Sequence, residues 1–170
     1  MDEKRKIAEL MHENDIYYFN SEEESNRKQE GLEDKIASSP SVRDPMIACG
    51  ECTDEMNQRI DSIERRLKTM FPEQGIRRFE ALELLDHTDH AGDYVLNILS
   101  KTERDKVILF NGLEKLLFSK SAQKLFLELY FSWHASGKFI FITTVAPLDA
   151  DLGWNEKLLQ CLGRGNVFQV

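Results

Sequence analysis

The sequence predicts an α/β domain of three layers, a parallel sheet of about five strands with helices on both faces. Three observations carry this. From Met46 onward, short apolar runs rich in β-branched and aromatic residues alternate with stretches of helical periodicity. The connections between them are only a few residues long, as in successive βαβ units with right-handed crossovers. Two of the runs, Val107 to Phe110 and Phe139 to Ile142, are apolar at every position, as strands covered on both faces are.

Taken in order, residues 1–44 form a polar N-terminal segment expected to pack on the core as short helices and extended chain. Lys6 to Met11 suits a short amphipathic helix, Ile16-Tyr17-Tyr18-Phe19 is a small aromatic anchor, and Ser21 to Arg27 is strongly acidic. Leu32 to Ile36 suits a further helix, and Ser38-Ser39-Pro40-Ser41 with Asp44-Pro45 reads as a loop. The core proper is expected over 45–170. Met46 to Cys49 is a buried strand ending at Gly50. Thr53 is placed to cap a helix, with Asp54 and Glu55 in a first turn whose dipole favours acids. Met56, Ile60, Ile63, Leu67 and Met70 then form one apolar stripe, and Phe71 to Gly75 ends it. Ile76 to Phe79 is a second strand and Ala91 to Leu99 a helix. Val107 to Phe110 is a central strand, Leu113 to Trp133 reads as mostly one long helix, Phe139 to Thr144 is another central strand, and Val167 to Val170 a last one.

Composition narrows the function. The 170 residues carry 22 Lys and Arg against 30 Asp and Glu, a formal net charge of −8. Such a chain repels a phosphate backbone, and its basic clusters are short, Arg65-Arg66 and Arg77-Arg78. Direct DNA binding is therefore not expected. No apolar run reaches the roughly 18 residues of a membrane span, and the N-terminus has no secretory pattern. A cytoplasmic protein with no membrane partner is expected. Three cysteines, an odd number, do not suggest a disulfide framework.

In a parallel α/β sheet ligands sit at the carboxyl ends of the strands, close to the loop after the first. Here that loop is Gly50-Glu51-Cys52-Thr53-Asp54-Glu55-Met56-Asn57. It has the position and length of a phosphate-binding P-loop, G-x-x-x-x-G-K-[ST], without its chemistry. Glu55 replaces the second Gly, Met56 the Lys, and Asn57 the hydroxyl that ligates Mg²⁺. Phosphate would instead meet Glu51, Asp54 and Glu55, whose carboxylates can satisfy the helix dipole themselves.

A family pattern runs through the same residues. Tyr17-Tyr18-Phe19 is followed by Ser25-Asn26-Arg27, then by Pro45 with Met46 to Gly50, then by Phe79-Glu80-Ala81-Leu82-Glu83-Leu84. Lys106 to Leu116 stands as a Walker B strand and its continuation. Ser136-Gly137-Lys138 with Phe139 to Thr144 stands as a sensor-1 strand, with Ala146-Pro147-Leu148 as the turn after it, and Asn155 to Leu159 as a following helix. In order and spacing, the stretch from Ile16 to Val170 resembles the AAA+ ATPase core of the bacterial replication initiator DnaA and its regulatory homologue Hda. The resemblance implies a P-loop AAA+ (RecA-like) domain and a role in replication initiation or its control.

At the functional positions the chain departs from that family. The Walker B acids fall at Asn111 and Gly112, neither of which holds Mg²⁺ or polarises water. Leu159-Gln160-Cys161 replaces the segment that supplies the family's trans-acting arginine. Thr143 or Thr144, with Thr144 preferred, takes the sensor-1 position. The chain ends at Val170, before the family's lid domain and its helix-turn-helix. The expectation is a pseudo-ATPase: Gly50, Glu55, Met56, Asn57, Asn111, Gly112 and Thr144 form a degenerate nucleotide site, with no catalytic residue, metal or cofactor. Its partner is expected to be a protein, an active AAA+ protein or a replication factor, with homo-oligomers a further option.

Competing readings are weaker. A nucleotide sensor with imperfect motifs would rely on backbone amides alone and is opposed by Glu55 and Met56. Cys49-x-x-Cys52 sits between strand and helix like a redox pair, but the chain has too many consecutive βα units and no aromatic flanks for that fold. A zinc site would need His87, His90 or Cys161 as further ligands, and His87-Thr88-Asp89-His90 reads as a polar loop. Asp86, Asp89 and Asp93 beside these histidines match no catalytic spacing. Gln123-Lys124-Leu125-Phe126-Leu127 resembles a sliding-clamp-binding peptide, but its Leu and Phe belong to a core-facing helix.

Overall fold

The structure, a computed structural model, describes residues 45–163 and 166–169. The readings placed on 1–44, the Tyr17-Tyr18-Phe19 and Ser25-Asn26-Arg27 patterns among them, and on Val170 lie outside these residues. Among the described residues five strands form one sheet: β1 (Met46–Cys49), β2 (Gly75–Glu80), β3 (Asp105–Asn111), β4 (Phe139–Thr144) and β5 (Asn166–Gln169). Their spatial order is β2-β3-β4-β1-β5, and every neighbouring pair is parallel. The helices are α1 (Thr53–Met70), α2 (Leu82–Leu85), α3 (Ala91–Lys101), α4 (Lys120–Ala135) and α5 (Glu156–Leu162). This is the three-layer α/β architecture expected, and β1 lies between β4 and β5, inside the sheet.

The two faces are filled unequally. On one, Met56, Ile60, Ile63 and Leu67 of α1 pack against Met46 and Ala48 of β1, Val107 and Leu109 of β3, and Phe139 and Phe141 of β4. The stripe read at 3- and 4-residue steps is this contact as far as Leu67; Met70, its last expected member, is 45% exposed in the final turn of α1 and lies outside it. The other face is larger and is covered by α2 to α5 over Ile47, Ile108, Phe110, Ile140 and Ile142, with Trp133 and Phe126 fully buried at its centre. Successive strand residues thus serve opposite cores, the reason Val107 to Phe110 of β3 and Phe139 to Ile142 of β4 are apolar at every step.

Two element readings need correction. Thr53 is the first residue of α1, not its cap; Cys52 holds the extended cap position and makes no side-chain capping bond. Leu113 to Trp133 is not one helix. A 3₁₀ turn, Leu113–Leu116, comes first, and α4 starts anew at Lys120. Ser119 has extended backbone there and accepts from Ala122 N, which is an N-cap. Buried Gln123 fixes the break by donating from Nε2 to the carbonyls of Leu116 (3.0 Å) and Leu117 (2.9 Å), groups that an unbroken helix would have satisfied itself. Its Oε1 accepts from Asn155 N at 2.6 Å, tying the start of α5 to the same point.

Candidate nucleotide site

The carboxyl ends of β1, β3 and β4 meet where a parallel α/β sheet binds its ligands. Gly50 continues β1, donating its N–H to Thr144 O at 2.9 Å. With α1 beginning at Thr53, only Gly50, Glu51 and Cys52 separate strand from helix. The N–H of Met56 is already bonded to Cys52 O at 3.0 Å within the helical ladder. The helix has taken over much of the motif's length.

Side chains fill what remains. Met56 is 3% exposed, and its Sδ lies so near Gly50 that a Cβ placed there would meet it at 2.5 Å. A thioether therefore lies against the backbone where a P-loop lysine would reach for phosphate. Glu55 points outward and pairs with Arg59 at 3.2 Å. Glu51 and Asp54 are exposed.

Asn57 and Asn111 are brought together. Asn111, 4% exposed at the end of β3, donates from Nδ2 to Asn57 Oδ1 (2.7 Å) and to Glu80 Oε2 (2.8 Å). Its Oδ1 accepts from the Thr143 hydroxyl at 2.5 Å, and that hydroxyl in turn accepts from Gly112 N at 3.0 Å. The Glu80 carboxylate can only accept, and this orients the Asn111 amide. Glu80 is held from its other side by Arg78, which also bonds Asp61 and lies 3.5 Å from Glu64, both on α1. Gly112 has a φ of +80°, the left-handed region, where a side chain is strained. Two oxygens that in a P-loop protein flank Mg²⁺, one on the first helix and one at the end of the Walker B strand, are here replaced by two amides bonded to each other.

Of the two sensor-1 candidates, Thr143 faces this cluster. The Thr144 hydroxyl turns away, donating to Ala146 O (3.0 Å) and accepting from Ala146 N (3.2 Å). Glu80, Arg78 and Thr143 complete the site, and Glu80 was not singled out from sequence. Its signal is register: β2 and β3 pair Glu80 with Asn111 across the ladder. Glu114, the nearest acid after Gly112, accepts from Val145 N at 3.2 Å.

The other candidates are not brought to the site. Cys49 is buried at the end of β1, where burial pushes its thiol up to about 11, while Cys52 is exposed. A thiol that stays protonated at neutral pH is a poor redox nucleophile. His87 stacks on Tyr94, ring centroids 4.1 Å apart. Leu125 and Phe126 are core. Leu159 and Cys161 pack against the core from α5, and Gln160 reaches Glu156 at 3.5 Å. Among the described residues no group of three or more His, Cys, Asp or Glu is placed to hold a metal ion, and no helix is long and apolar enough to cross a membrane.

Comparison with solved structures places this geometry. Domain III of the replication initiation protein DnaA from Thermotoga maritima superimposes with a TM-score of 0.68 at 18% identity, over 86% of this chain and 61% of that one. DnaA from Aquifex aeolicus bound to AMPPCP gives 0.65 at 12% identity, over 91% and 49%. The replication initiator DnaA bound to AMPPCP and single-stranded DNA gives 0.65 at 12%, over 84% and 44%. The fold is DnaA-like. The chain spans about half the length of these DnaA structures, up to 61%. No protein-family model matches the sequence, and no curated protein matches it significantly. The likeness to DnaA thus lies in the fold, at low sequence identity.

Proposed function

We propose that this protein is a DnaA-like AAA+ domain that works without nucleotide, a pseudo-ATPase serving as an interaction or regulatory module in replication initiation, in the manner of an Hda-type regulator. The observation that carries the reading is the direct bond between Asn57 and Asn111, which occupies the space between the first helix and the Walker B strand. Met56 against Gly50 supports it from the phosphate side, and Leu159-Gln160-Cys161 offers no arginine for a neighbour's site. Its partner is then a protein, an active AAA+ protein or replication factor. Phe118, 94% exposed, with Leu96 and Leu82 are the most exposed large apolar side chains among the described residues and the first place to seek the contact.

Thermal unfolding with and without millimolar ATP or ADP plus Mg²⁺ tests the reading. A ligand present at 100 times its dissociation constant adds about 2.7 kcal/mol and raises the midpoint by several degrees. No shift is expected. A clear shift overturns the proposal and restores the nucleotide-sensor reading. Mixing with an ATP-loaded DnaA protein then reads the interaction, as a change in its ATPase rate or assembly size that Phe118→Ser weakens.

A further inference from the structure

We infer that the Asn111 amide does in this protein what a bound cation would do in a nucleotide-loaded relative, holding α1, β2, β3 and β4 in one arrangement with no ligand. The inference rests on the nucleotide-free reading above and extends it to how the carboxyl ends of these strands are kept in order. Three oxygen-bearing side chains from three elements converge on Asn111: Asn57 from α1, Glu80 from β2 and Thr143 from β4. Two of them, Asn57 Oδ1 at 2.7 Å and Glu80 Oε2 at 2.8 Å, face a single nitrogen. Oxygens gathered from separate elements around one centre are the arrangement that hard cations bind. Here the centre is an NH₂ group attached covalently to the chain.

The joint is also complete. Both protons of the amide are used, its carbonyl takes the Thr143 proton, and the Thr143 lone pair takes Gly112 N–H. The charge left on Glu80 is balanced from outside by Arg78, which bonds its other oxygen at 2.7 Å and continues to Asp61 on α1. A network whose buried centre, here Asn111 and Thr143, is satisfied favours a single arrangement, whereas a half-satisfied one is costly. The site therefore has no vacancy that a cation would stabilise.

The test is a cation titration in the absence of nucleotide. Wild-type protein and Asn111→Asp are unfolded thermally in chelator and in millimolar Mg²⁺ or Ca²⁺. The wild-type midpoint is expected to stay where it is. In Asn111→Asp a carboxylate faces Glu80 where a donor stood, so the midpoint in chelator falls by about 3–8 °C and the cation recovers most of that fall. Adding Glu80→Gln to Asn111→Asp removes the like-charge pair, and both the fall and the cation response shrink. A wild type stabilised by the cation, or an Asn111→Asp protein that is neither weakened nor cation-responsive, overturns the inference.

Should Asn111→Asp fail to fold, Asn57→Ala and Thr143→Val decide. These residues share no direct bond and meet only through Asn111, so one joint requires their losses to be non-additive. Strictly additive losses overturn it. Nucleotide binding by the wild type would sink the reading above while leaving the joint intact. A cation-indifferent Asn111→Asp sinks the joint whichever way the nucleotide experiment falls.

Discussion

The two ends of the sheet solve the same problem with different chemistry. At the amino ends of β3 and β4 the polar groups are ionic. Lys138, 7% exposed, donates from Nζ to the carbonyls of Asp105 (2.7 Å) and Glu103 (3.3 Å). Arg77 bonds the Asp105 carboxylate at 2.9 Å. Beside them Trp133 donates from Nε1 to the Thr102 hydroxyl at 3.1 Å, which donates to Ile98 O. Burial lowers the affinity of Lys138 for its proton and Asp105 opposes this, the balance of a charge kept indoors by its neighbours. At the carboxyl ends, where α/β sheets take ligands, the centre of the cluster is a neutral amide. The lesson is that a ligand-binding end can be closed as completely as a purely structural one when the residue between the acceptors brings its own protons.

The strongest way to break this comparison is at the ionic end. Trp133→Ala removes the largest fully buried side chain together with the Thr102 bond. It is expected to cost about 4 kcal/mol and lower the midpoint by roughly 10 °C. Calorimetry checks it, and a loss below about 1 kcal/mol would mean that this end is not held by Trp133 at all.

A smaller effect sharpens the carboxyl end. The Cys49 thiol titrates at about 11 when folded, against an ordinary 9.0. The unfolded chain therefore loses this proton first as pH rises, the folded chain binds more protons between these values, and stability falls across that window. Below pH 9 the contribution is level. Comparing the wild type with Cys49→Ala, by denaturant unfolding at pH 8 and pH 11, should show the wild type losing about 2 kcal/mol more. Parallel curves would place the thiol in a wetter setting than β1 provides.

The smallest effect belongs to Gly112. A Cβ there meets nothing closer than 3.5 Å, but the φ of +80° remains unfavourable for any L side chain. Gly112→Ala should cost only about 1 kcal/mol. A chemical denaturation series resolves that, and a much larger loss would mean that the substitution also disturbs Gly112 N and its bond to Thr143.

How much of this was legible in the sequence follows from the range of the interactions. Strands such as Phe139–Thr144 and the α1 stripe are local periodicities, and they were read nearly to the residue. That positions 56, 111 and 112 carry neither a lysine nor an acid is legible directly, because it is a statement about residue types alone. The break before α4 was not, because it depends on Gln123 reaching back to Leu116 and Leu117 rather than on a Gly or Pro. Nor was the asparagine joint. Asn57, Glu80, Asn111 and Thr143 are far apart in sequence, and only strand order and register bring them together. The choice between Thr143 and Thr144 likewise needed the pleat, which sends neighbours to opposite sides.

The short connection between β1 and α1 has a consequence for what a single substitution can do at this end of the sheet. A lysine at position 56 would replace a side chain packed between α1 and Gly50, and with only Gly50 to Cys52 between strand and helix there would be no loop for phosphate to enter. Met56 and Asn111 are both buried, so a change at either one alone disturbs packed or hydrogen-bonded groups. On the function proposed above, a single substitution at this end of the sheet disturbs packing before it opens space for a phosphate.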